Sequence, residues 1–200
     1  MEKKYELTDE IAYVAWNGYK NADGKYIENE KRGPEFYSIQ YPTLLIPPEK
    51  DYDECPMGRV VHRIRALRDI PEAGVKAGDL GGFVEEEISN LSHLGTCWIH
   101  DNAVVYNGGS VRRGAQIREN AIIDDGTVDS NAEVSGRALV TYEAHIGADA
   151  KIYGSAAVYR GSVYNAAIHG DACVISPYNG DVFEDREVET GNWVRGQLEP

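Results

Sequence analysis

The chain has 200 residues, 42% hydrophobic and 26% charged, with a formal net charge of −13. That is enough chain for one buried core, and too acidic overall for a groove that must neutralise nucleic-acid phosphates with clustered Lys and Arg. No run approaches the ~18 apolar residues of a membrane span, and Glu2, Lys3, Lys4 and Glu6 around Tyr5 leave no apolar stretch of a signal peptide, so a cytoplasmic protein without a membrane partner is expected.

Taken in chain order, residues 1–12 and 58–98 read as an N-terminal β cap running into a first coil. Val61, Ile64, Ala66 and Leu67 among Arg63, Arg65 and Arg68 suggest a strand, and the AGDLGGF segment supplies glycines for a tight turn. Between the two parts, residues 13–57 read as an insertion. Its NADGKY segment is an Asp-Gly turn flanked by Trp16, Tyr19 and Tyr26, which predicts a hairpin, and with Tyr37 these aromatics are candidate partner-binding residues. Asn21, Asp23, Gly24 and Glu30 fit some positions of a calcium loop, but Tyr19 stands where the first carboxylate ligand belongs, so no metal is expected. The proline-rich run from Tyr41 to Pro56 predicts an extended surface loop.

From residue 99 the sequence repeats. Aliphatic residues stand at Ile99, Val105, Val111, Ile117, Ile123, Val128, Val134, Val140, Ile146, Ile152, Val158, Val163, Ile168 and Val174, ten steps of six residues and three of five. Four residues after each of the first thirteen is a small residue, from Ala103 through Thr127 and Ser162 to Ala167 and Ala172, and turns between them are rich in Asn, Asp and Gly. A short strand centred on a β-branched residue, a tight corner, then the next strand gives a coil of about eighteen residues whose backbone pairs with the coil above. Neither period two nor period 3.6 reproduces this pattern. Residues 99–178 are therefore an all-β, parallel β-helix of hexapeptide repeats, and residues 179–200 an acidic C-terminal tail. The repeat carries nine acids against six bases, so most of the negative charge lies at the chain ends, which argues against a column imitating DNA.

This pattern resembles the hexapeptide-repeat, left-handed β-helix superfamily, many of whose members are trimeric acyltransferases. The segments YELTDE (5–10), HRIRALRDI (62–70), VKAGDLGGFVE (75–85) and NLSHLGTCWIHDNAVVY (90–106) look more closely like the uncharacterised YdcK-like proteins of bacteria and their phages. The resemblance implies a single-stranded, left-handed column, and its phage-borne members point to a host protein as partner.

Under the acyltransferase reading implied by the superfamily, a His acts as general base on an acceptor attacking acetyl-CoA. His93, His100, His145 and His169 are the candidates, and His145, one coil from Asp129, is the best placed. No long loop interrupts the coils and no basic C-terminal segment awaits CoA phosphates, so a non-catalytic binding or scaffold protein without a cofactor is favoured. Cys55, Cys97 and Cys173 are widely spaced, without a CxxC or nearby His ligand pattern, and read as reduced thiols; Cys97, two residues before Ile99, should be a buried, inert corner and Cys173 should point outward.

Residues flanking the inward aliphatics point outward. On one face these are Val104, Ile122, Leu139, Ala157 and Cys173, then Tyr106, Thr141, Tyr159 and Ile175, an apolar stripe interrupted only by Asp124. Such a stripe exceeds what monomers expose. The superfamily resemblance suggests a homotrimer as its cover; folding of the insertion over the same stripe is the alternative.

Overall fold

The computed structural model describes residues 2–15, 59–176 and 182–194, with short strands at 19–20, 26–27, 30–32, 38–40, 43–45 and 197–199. These form a parallel β-helix of about six turns. Its repeat follows from the sequence register: Val105 pairs with Ile123, then Val140, Val158 and Val174, each parallel to the last. The second face stacks Val111, Val128, Ile146, Val163 and Phe183, and the third Ile99, Ile117, Val134, Ile152, Ile168 and Val188. Their side chains fill the column and are buried. Each stacked aliphatic lies over another apolar side chain, ending in Phe183 over Val163 on the second face, and contributes ~1.5–3 kcal/mol of burial before conformational entropy is counted.

The small residue is fixed two places before each inward aliphatic, not four after the preceding one. The two rules differ only at the five-residue steps. There the buried corners are Gly126, Gly161 and Ala166, while Thr127, Ser162 and Ala167 are half-buried outward residues of the following strands. A Cβ at position 126 would lie 2.8 Å from Cγ1 of Val140, which explains the glycine. Left-handed backbone recurs two residues after the inward aliphatic, at Asp101, Asn107, Arg113, Glu119, Ala148 and Arg160 among others, one place earlier than the Asn/Asp/Gly cluster suggests. Several of these are poor residues for that conformation, a cost of ~1 kcal/mol each that stacking of the coils overrides.

The column is longer than the repeat in the sequence at both ends. Leu80–Val84 pairs parallel with Val104–Tyr106, and Leu91 bridges Val111, completing a first coil. Residues 182–194 are not a tail: Val182–Glu184, Glu187–Val188 and Asn192–Val194 each pair parallel with the coil before them. Phe183 and Val188 are buried in the same core.

One sheet runs the length of the protein. Its eleven strands include seven rungs of the column and, beyond Leu80–Val84, the antiparallel strands Arg59–Ala66, Tyr5–Ala15 and Thr43–Leu45. The cap is thus built by continuing a column face, and Tyr5, Ile64, Ala66, Ile70, Ala73 and Val75 close the end of the core. The hairpin expected in the insertion is present as Tyr19–Lys20 paired antiparallel with Tyr26–Ile27. Trp16, Tyr37, Cys55 and the turn residues Asn21, Asp23 and Gly24 lie outside the described residues. Among the described residues no helix is long and apolar enough to cross a membrane.

Candidate functional site

His145, half-buried in the strand His145–Gly147, is not a simple solvated ladder residue. Its Nε2 faces Asp129 Oδ1 of the preceding coil at 3.4 Å, without hydrogen-bond alignment, and its Nδ1 is 3.1 Å from the Tyr164 hydroxyl of the following coil. Ser130 donates to the same Asp129 oxygen at 3.1 Å. Tyr164 is paired with Gly147, and the absence of a side chain there lets the phenol lie across the strand: a Cβ at 147 would sit 2.7 Å from the ring. The consistent proton placement has Nε2–H toward Asp129 and Nδ1 accepting the Tyr164 O–H. Nδ1 is then engaged by the phenol, while Nε2 stays close to Asp129 without a hydrogen bond. Asp129 was foreseeable as a partner; Tyr164 was missed, and a glycine facing a tyrosine one coil away was the signal for it.

The remaining histidines are separate. His100 donates from Nε2 to Gln116 Oε1 at 2.8 Å, an orientation fixed because the Gln116 amide donates to the Thr96 and Gly114 carbonyls. Burial holds its pKa below the usual imidazole value. His169 stacks on Tyr153 with ring centroids 4.7 Å apart and meets Glu187 at 3.1 Å.

The stripe residues stack in register on one face of the long sheet, and the stripe is covered. Val104, Leu139 and Ala157 are fully buried, Tyr106, Thr141 and Cys173 nearly so, and Ile122 is 8% exposed, all within a single chain. Tyr159 and Ile175 are half-buried against them, and Ala12, Val14, Val61 and Phe83 of the cap extend the same cluster. These side chains are buried within one chain, without a second copy. Asp124, inside the stripe, is held by Asn107 Nδ2 at 2.8 Å and Thr141 Oγ1 at 3.1 Å, and burial raises its pKa.

A different surface stands open. A cleft of about 380 Å³ lies between the 86–94 segment and the second face of the column, with Ile88, Ser89, Ser92, His93 and Leu94 on one side and Gly108, Ser110 and Arg112 on the other. Ile88 is 84% and Leu94 59% exposed. The segment is pinned from beneath: buried Asn90 accepts from the Glu86 N–H at 2.6 Å and donates to the Gly109 carbonyl at 2.7 Å, and the Tyr5 hydroxyl engages the carbonyls of Glu87 and Leu91. With its backbone fixed, the segment cannot collapse to hide its aliphatic side chains. His93 stacks on Tyr5 at 4.4 Å and accepts the Lys4 N–H at Nδ1, which leaves Nε2–H as its donor, and desolvation keeps the ring neutral to lower pH than usual. Arg112 is oriented by Nε donating to Ser110 Oγ at 2.7 Å. The cleft thus combines an aliphatic rim with guanidinium and imidazole donors.

Among the described residues no three His, Cys, Asp or Glu side chains come together to hold a metal ion. No protein-family model matches the chain, and no curated protein matches it.

Proposed function

We propose that this chain is a non-catalytic binding protein that takes a partner protein at the cleft between residues 86–94 and the first coils. The observation that carries this reading is the pair of highly exposed aliphatic residues, Ile88 and Leu94, on a segment fixed by Asn90 and Tyr5. Rigid presentation lowers the ordering cost of association, and apolar anchors beside an oriented Arg are what a partner segment with an aliphatic side chain next to a carboxylate or carbonyl requires. The resemblance to phage-borne proteins favours a host protein as that partner. Affinity capture from a bacterial lysate with the wild type and Ile88→Asp tests it: one protein held by the wild type and released by the variant is the expected result, and equal retention by a folded Ile88→Asp protein overturns the reading.

A second reading, a CoA-dependent acyltransferase, is favoured by the Asp129–His145–Tyr164 chain, which would carry a proton between the phenol and the imidazole. Calorimetric titration with acetyl-CoA distinguishes the two. Binding tighter than about 100 μM, roughly −5.5 kcal/mol, that is lost in His145→Ala supports the enzyme; no binding at that level supports the binding protein.

A further inference from the structure

We propose that Lys4 and Cys97 form an oxidative modification site, a buried lysine–cysteine pair that closes into a covalent sulfur–nitrogen link when the sulfur is oxidised. Lys4 is fully buried at the start of the cap, and its Nζ lies 2.9 Å from the Cys97 carbonyl oxygen and 3.1 Å from Cys97 Sγ. Cys97 is fully buried at the corner before Ile99. Its sulfur is ringed by the carbonyl oxygens of Ser92, Leu94 and Val111 at 3.6–3.7 Å. Among the described residues no carboxylate pairs with the lysine, an unusual setting for a side chain that is almost never buried without a counter-charge. Burial pushes the Lys4 pKa down, which favours the neutral, nucleophilic amine.

The chemistry balances with peroxide as oxidant. Hydrogen peroxide converts the Cys97 thiol to a sulfenic acid, its O–O bond breaking and one water leaving. The Lys4 nitrogen lone pair then attacks the sulfenic sulfur, the S–O bond breaks, and the hydroxyl departs as water with one amine proton, leaving an S–N bond. Sulfur is oxidised by two electrons and the peroxide reduced by two. Cys97 is itself fully buried, but Ser92 and Leu94, whose carbonyls lie 3.6 and 3.7 Å from its sulfur, line the open cleft, so peroxide has only this segment to pass. The link would tie the cap to the first coil across 93 residues of sequence, constraining the unfolded chain as a disulfide does. This inference does not depend on the cleft's partner.

The test is peroxide treatment of the native protein, quenching, unfolding without reductant, proteolysis and mass spectrometry. The expected product joins the Lys4 and Cys97 peptides at a combined mass two hydrogens below their sum, separates with dithiothreitol, and is absent when the wild type is unfolded in urea before oxidation. Cys97→Ser and Lys4→Arg each abolish it, with circular dichroism checking the fold. The linked protein also unfolds at higher denaturant concentration than the reduced one. Recovery of Lys4 as a free amine beside a thiol or sulfinic acid at Cys97, or equal linking in native and urea-unfolded protein, overturns the proposal.

Discussion

Leu139→Ala tests whether the stripe is covered within one chain. Leu139 is fully buried on the outward side of the long sheet, between Ile122 and Ala157 in register. An outward leucine reaches that state only under a cover, and shortening it to alanine removes three carbon atoms. The lost transfer energy is about 2.4 kcal/mol at ~0.8 kcal/mol per carbon, and the cavity left behind brings the total to roughly 2.5–5 kcal/mol. For a chain of this size each kcal/mol shifts the melting midpoint by ~2–4 °C, so a drop of roughly 5–20 °C is expected. Urea unfolding at several protein concentrations, with light scattering after size exclusion, provides the assay. The wild type should have the mass of one chain at micromolar concentration, and the cost of the substitution should not change on dilution. A cost below about 1 kcal/mol would refute the burial of Leu139, and a mass of three chains with a dilution-dependent midpoint would refute an intramolecular cover and favour the trimer.

Gly147→Ala should drive the Tyr164 ring off the strand and break its contact with His145, read as a changed His145 imidazole shift in NMR while the column's circular dichroism persists; an unchanged shift would show that the phenol does not need the glycine. Ala148→Gly relieves left-handed strain at φ 53° and should stabilise the protein by up to ~1 kcal/mol in urea unfolding, whereas destabilisation would mean the alanine methyl contributes more than the backbone costs. His100 should titrate below the ordinary imidazole value of about 6.5, because burial disfavours its charged form. Since the unfolded state binds the proton more readily, its contribution to stability is present above the unfolded value and is lost as pH falls through the folded one; a midpoint at or above 6.5 would contradict this.

Much of the column was legible because one physical requirement recurs at every layer. An inward position between two identical coils accepts only an aliphatic residue, and a corner against the next coil accepts only a small one, so both appear at fixed spacing. What the sequence hid were places where spacing slips or a single long side chain decides. At the five-residue steps, counting forward from Ile123 placed the corner at Thr127, although the geometry fixes it by the strand that follows. The last coil went unseen because Phe183 stands nine residues after Val174 and is aromatic, breaking both rhythm and residue type. Tyr164 reaches His145 only because Gly147 is bare. Lys4 gave no sign at all: a lysine near the start of a strand reads as solvated, and its burial depends on Cys97, which lies in a corner 93 residues away.

The column's layers share one repeating geometry, while its cleft and its Lys4–Cys97 contact are confined to the first two coils. Copying one coil of about eighteen residues between Leu139 and Ala157 would therefore lengthen the molecule by ~4.8 Å and leave both undisturbed, because each layer touches only its neighbours. The fold is in that sense a ruler: the distance from the cleft to the far terminus is set by the number of layers alone, and selection or design can adjust that span without retuning what the protein holds.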